Sequence, residues 1–183
     1  MPTTQKIAQF SNGREPRDGD RIVYVDGAFD LFHVGHIELL KKARGLGDFV
    51  LVGVHDDYTV NRIKGLNHPI MNMHERLLGV LSCKYVDEVI IGAPYSVTKD
   101  LLENCNYKIS LVLHGKTETV LDLDKSDPYR VPKELGIFQQ VESCFPNLSA
   151  QTIIDRIIKQ RQAYEERNRK KQQKELASLS TNC

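Results

Sequence analysis

Residues 26–36 read D-G-A-F-D-L-F-H-V-G-H, and no other stretch constrains the fold as tightly. An apolar, largely β-branched run precedes it, Ile22 to Val25, and beyond it Ile37, Leu40 and Ala43 fall on one helical face. The segment therefore sits on a strand-to-helix turn, at the carboxyl end of the first strand of an α/β sheet. Helix amino ends there present backbone N–H groups and the positive end of a dipole, which suits phosphate. His33 and His36 flank Gly35, so two imidazoles can serve one point while the glycine lets a phosphate approach the backbone. These features predict a nucleotide site. A zinc site is disfavoured, because no Cys pair or H-E-x-x-H supplies further ligands. G-x-G-x-x-G and the P-loop pattern are both absent, which argues against a dinucleotide fold and a P-loop.

Further along, strand and helix patterns alternate. Strands are predicted at Phe49–Val54, 86–91, 111–113 and 137–141, and 55–71 reads as a loop carrying Lys64 and Pro69. Asn72, with Glu75 three residues on, reads as a capping box opening a helix through Leu77, Leu78 and Leu81, and Ser96 as the start of another. This order predicts a Rossmann-like, doubly wound parallel sheet of about five strands with a C-terminal helix. The predicted organisation is a linker-like segment over 1–20, a domain over 21–160 and a charged helix or tail over 161–183.

Composition narrows the partners. Lys plus Arg is 25 and Asp plus Glu is 24, a net charge of +1, which gives no reason to expect nucleic acid. The four cysteines form no C-x-x-C, as expected of reduced thiols in a cytoplasmic protein. The opening residues lack an apolar signal core, and no apolar run nears the roughly 18 residues that span a bilayer. Beyond Tyr164 the chain reads R-N-R-K-K-Q-Q-K-E, a solvated charged face and no strong membrane anchor.

The signature Gly27-Ala28-Phe29-Asp30-x-x-His33-x-Gly35-His36 resembles that of the cytidylyltransferases, among the H-x-G-H nucleotidyltransferases. The resemblance is strongest to the ethanolamine-phosphate cytidylyltransferase family, whose chains carry two such halves, and here it is to the second half. P-I-M-N-M-H-E-R (69–76), Y-V-D-E-V (85–89), I-G-A-P-Y (91–95), H-G-K-T-E (114–118) and S-D-P-Y (126–129) extend it from about Gln5 to Leu176. An initiator Met on a segment resembling the inter-half linker suggests a fragment or a shortened product.

The resemblance implies cytidylyl transfer from CTP, with Mg²⁺, to phosphoethanolamine, and pairing with another cytidylyltransferase domain. It gives His33, His36 and Lys64 catalytic roles, and Gly27, Ala28, Phe29, Asp30, Gly35, Lys84, His114 and Ser149 contacts with the nucleotide. An ammonium needs a carboxylate or an aromatic face, which makes Asp26 the first candidate and Glu118 the second. Asp56 and Asp57 fit ribose or a cap equally, and His55, His68 and His74 have no motif support as catalysts. Two positions depart from the family pattern. Lys84 stands for an arginine, and Cys144-Phe145 stand for the Arg-Thr of a motif closing over the triphosphate, where only Ser149 keeps a matching hydroxyl. These departures raise a rival reading: a catalytically weak half that binds nucleotide and supports or regulates a complete partner.

Overall fold

A computed structural model describes residues 14–65, 67–104, 107–116, 120–122 and 125–180. The chain divides into two compact units, Met1–Pro146 and Asn147–Cys183. In the first, five strands form one all-parallel sheet: β1 (Ile22–Gly27), β2 (Phe49–Val54), β3 (Glu88–Ile91), β4 (Ile109–Gly115) and β5 (Phe138–Val141). Their order is β3-β2-β1-β4-β5, so the chain winds outward from β1 in both directions. The crossovers carry α1 (Val34–Leu46), α2 (Asp57–Lys64), α3 (Met73–Leu81), α4 (Lys99–Asn104) and α5 (Arg130–Glu134). Where such an order reverses, here between β1 and β4, the strand ends leave a crevice for ligands.

Alternation along β1 assigns its faces. Val23 and Val25 join Leu40 and Ala43 of α1 and Leu77 and Val80 of α3 in one core. Ile22 and Tyr24 face the opposite core, with Leu101, Leu102, Tyr107 and Tyr129. All six residues of β2 are buried, as expected for a central strand covered on both faces, and each of its five apolar side chains contributes about 1.5–3 kcal/mol. Gly53 is required on β2, since a Cβ there would lie 2.1 Å from Tyr24 Oη and 2.8 Å from Ala93 Cβ. Asp26 follows Tyr24 by two residues and so faces the Tyr129 side, and the polarity of the site begins there.

The loop expected over 55–71 instead contains α2. Asp56 caps it, its side chain accepting from Thr59 N at 2.6 Å, so of the two readings for Asp56 the cap is the one seen. Asp57 accepts from Arg76. The helix expected from Ser96 begins only at Lys99, where Thr98 Oγ1 accepts from Leu101 N at 3.2 Å, while the Ser96 hydroxyl donates to Asp122 Oδ2 at 2.7 Å. In the second unit α6 (Ala150–Ser180) runs unbroken through residue 160, with Arg161–Glu165 and Lys170–Glu166 pairs along its surface. No helix among the described residues is long and apolar enough to cross a membrane.

Candidate active site

The signature turn is built by burial. Phe29 and Leu31 hold left-handed backbone (φ 51° and 47°), uncommon for bulky residues and retained only where the surroundings demand it. Phe29 is buried, its ring 5.3 Å from that of His36, and Phe32 stacks on His36 at 5.5 Å. Asp30, also buried, accepts from the backbone N–H groups of Leu31 (3.0 Å), Ile70 (2.8 Å) and Met71 (2.9 Å). Its carboxylate thus fastens the 70–71 segment to the turn, a positioning role.

His33 caps α1. Its Nδ1 accepts from Gly35 N at 3.1 Å, and His36 Nδ1 accepts from His33 N at 3.3 Å. An imidazole nitrogen that accepts carries no proton, so each neutral ring holds its proton on Nε2. The rings stack with centroids 3.9 Å apart. Burial pushes the His36 pKa down to about 3, reinforced by His33 and Lys64, and burial lowers that of His33. The pair is therefore neutral at pH 7 and offers two Nε2–H donors on stacked rings. The N–H groups of Gly35, His36 and Ile37 are all engaged within the turn.

Lys64 ends α2, where its charge reaches both His36 and Asp30. Desolvation of the ammonium lowers its pKa, opposed by Asp30 and aided by Arg76. Arg76 is completely buried and was missed as a functional residue in the sequence. Its guanidinium donates to the carbonyls of Met71 (3.1 Å), Ala28 (2.5 Å) and His55 (2.8 Å) and to Asp57 Oδ1 (2.6 Å). It locks the signature turn, the end of β2 and the segment before α3 into one frame.

A second cluster lies at the ends of β1, β2 and β4. Asp26 is buried, with Oδ1 accepting from Tyr129 Oη at 2.6 Å and Oδ2 without a hydrogen-bond partner. Burial raises its pKa, while His55, the Tyr129 bond and His114 pull it down. The His114 ring lies 4.9 Å from that of Tyr129, and its buried Nδ1 lacks a partner. His55 is buried beside Tyr95, ring centroids 5.6 Å apart. His55 follows β2 and Tyr129 immediately precedes α5, and only the S-D-P-Y match hinted at Tyr129.

Not every expected residue is gathered here. Lys84 lies in the turn between α3 and β3, over the Tyr85 ring at 5.2 Å, ahead of β3 and so at the amino ends of the strands. Its nucleotide role is not supported by this position, because parallel strands place the signature at their other ends. Gly27 ends β1 and accepts from His55 N at 3.1 Å, and Ala28 is held by Arg76. Ser149 caps α6 in the second unit, accepting from Thr152 N at 3.2 Å. Glu118 lies outside the described residues. Cys144 follows β5, where its backbone N–H donates to both Glu38 oxygens, at 3.0 and 2.8 Å. Among the described residues no group of three or more His, Cys, Asp or Glu side chains could hold a metal ion.

The cytidylyltransferase-like family model matches residues 24–171. The chain belongs to that family. It is 56% identical to an ethanolamine-phosphate cytidylyltransferase of Dictyostelium discoideum, over 96% of this chain and 48% of the relative. The mouse enzyme of that name is 54% identical over 98% of this chain and 44% of its own. Human choline-phosphate cytidylyltransferase A is 35% identical over 80% and 39%. This cytidylyltransferase-like chain thus spans about half the length of the curated relatives it matches. Among solved structures, a lipopolysaccharide core biosynthesis protein from Thermoplasma volcanium superposes with a TM-score of 0.52 at 29% identity, over 68% of this chain and 97% of the other.

Proposed function

We propose that this cytidylyltransferase-like chain transfers the cytidylyl group of CTP to phosphoethanolamine, giving CDP-ethanolamine and pyrophosphate. The observation that carries the reading is the stacked His33–His36 pair, fixed as two Nε2–H donors beside Lys64. A phosphate oxygen of phosphoethanolamine attacks the α-phosphorus of CTP in line, the bond to the β-phosphate oxygen breaks, and pyrophosphate leaves. The nucleophile is already an anion and needs no base, so the work is positioning and charge stabilisation. Two neutral donors serve the α-phosphate, and Lys64 follows the charge as a flexible cation. Asp26 receives the ammonium. The relatives' names, and a buried carboxylate with one unmet oxygen, support an aminated substrate.

Mg²⁺ is proposed to accompany CTP. The described side chains provide no cage for it, which suits a cation held chiefly by phosphates and water, and no step is assigned to it. Pairing with a second cytidylyltransferase domain is likewise proposed, on the doubled length of the relatives.

A second reading, a nucleotide-binding half that supports a complete partner, is favoured by Cys144 and Phe145 where the closing motif's Arg-Thr would stand. Calorimetry with CTP beside a CDP-ethanolamine assay on the same sample separates the two. Binding with turnover supports the enzyme, binding without turnover supports the second reading, and no binding refutes both.

A further inference from the structure

Asp26 and His55 leave neighbouring strands at the same end of the sheet. Asp26 pairs with Gly53 across β1 and β2, and His55 N donates to Gly27 O. The His55 Nδ1 lies 3.0 Å from the carbonyl oxygen of Ala93, which can only accept. Nδ1 therefore carries the proton, and the neutral ring presents a lone pair at Nε2. No hydrogen bond to Nε2 is found among the described residues. Nearby, Asp26 Oδ2 is buried without a donor, an arrangement that is costly until a donor arrives. Asp26 pairs with Gly53 and His55 lies two residues beyond Gly53, so strand alternation puts both side chains on one face of the sheet. Tyr95, with its ring on His55 and its hydroxyl donating to Val120 O at 2.5 Å, walls the space and has no spare proton to give.

Two acceptors, Asp26 Oδ2 and His55 Nε2, therefore lie on one face at the sheet's end, and neither has a donor among the described residues. We infer that His55 reads the number of N–H groups on the amine of the second substrate, accepting one at Nε2 while Asp26 Oδ2 takes another. The inference rests on the proposed phosphoethanolamine reading and assigns its specificity. A primary ammonium carries three N–H groups, its N-methyl derivative two, the dimethyl derivative one and the quaternary amine none. Two acceptors are satisfied down to the monomethyl compound and no further. Discrimination then comes from a polar group left unpaired, which selects more sharply than bulk alone.

The test is calorimetric titration of phosphoethanolamine, its N-methyl and N,N-dimethyl derivatives and phosphocholine into the full chain loaded with α,β-methylene-CTP, which does not turn over. Wild-type affinity should hold from the primary to the monomethyl compound and fall about tenfold at the dimethyl compound, the worth of one hydrogen bond to a charged group. His55→Asn keeps a donor for the Ala93 carbonyl but removes the Nε2 acceptor. It should weaken phosphoethanolamine about tenfold and shift the break to the step between dimethyl compound and phosphocholine. His55→Gln, with an amide oxygen near the Nε2 position, should restore the wild-type break. Wild-type ratios in His55→Asn, or equal weakening of all four compounds, would overturn the role of His55 while leaving the substrate reading intact. A wild-type chain that binds the CTP analogue but none of the amines would end both.

Discussion

Acid should loosen this fold through one residue more than its size suggests. His36 has its pKa pushed from 6.5 to about 3 in the folded chain, chiefly by burial. Between those values the unfolded chain binds a proton on His36 that the native chain does not. Stability therefore rises with pH across that window and is lost on acidification. Taking the chain from pH 7 to pH 5 should cost about 2 kcal/mol through His36 alone, a sizeable part of the stability of a typical domain. His36→Asn isolates the effect. The asparagine Oδ1 stands about where His36 Nδ1 stands, so it can still accept from His33 N–H, but it does not titrate. Urea unfolding of both proteins at pH 7 and pH 5 gives four stabilities, in which other titrating groups largely cancel. The wild type should lose about 2 kcal/mol more than the variant. Equal losses would mean that native His36 takes up its proton between pH 7 and pH 5 as the unfolded chain does, and burial of the ring as a held neutral donor would have to be abandoned.

Three further outcomes follow from the geometry. Arg76→Met should destabilise the chain by about 3–5 kcal/mol, because it strands three carbonyls and Asp57, and a thermal melt unchanged within a degree or so would contradict the framing role. Lys64→Ala should cut cytidylyl transfer at least tenfold in kcat while moving the melting temperature little, since Lys64 ends a short surface helix; a large drop in melting temperature with kcat intact would make it structural. Cys144→Arg with Phe145→Thr should tighten CTP binding about tenfold in calorimetry, and more in a Glu38→Gln background, because Glu38 lies beside residue 144 and competes for the guanidinium. No gain in either background would show that residue 144 cannot reach the triphosphate.

The sheet was legible because its strands are short β-branched runs between turn residues, and buried central strands need no finer signal. The signature was legible because it is contiguous: cap, glycine and second imidazole lie within four residues, and one turn folds them. What escaped has physical reasons. α2 spans eight residues with β-branched Thr59 and Val60, so its helical preference is weak, and the Asp56 cap and packing against the site hold it. α5 contains Pro132 and reads as loop, although proline is tolerated in the first turn of a helix. The second cluster draws Asp26, His55, His114 and Tyr129 from separate strand ends and loops, a proximity created by sheet order and invisible along the chain. Lys84 lies apart from both clusters. Its sequence neighbours matched, but a lysine ahead of a parallel strand stands at the wrong end of the sheet for a ligand gathered at the carboxyl ends.

These placements bear on how the site handles charge. Two imidazoles stacked at 3.9 Å cannot both be cations in a partly buried turn, so they supply direction and not neutralisation. The cation whose charge acts on His36 is Lys64, a flexible point charge that can follow a moving phosphate but cannot clamp it in two places. A fixed, bidentate cation would have to come from elsewhere, and the segment following β5 is where the family motif supplies one. Here that segment is spent on α1 instead: Ser143 Oγ and Cys144 N bind Glu38, whose carboxyl is held down to about 2, first by the Cys144 thiol. Donors that could face an anion face a carboxylate. On the proposed function, the chain would keep the parts that orient the α-phosphate and recognise an amine, while its hold on the outer phosphates would rest on Lys64. That asymmetry predicts specificity for the acceptor stronger than affinity for CTP, which titration of each substrate alone and in the presence of the other would measure.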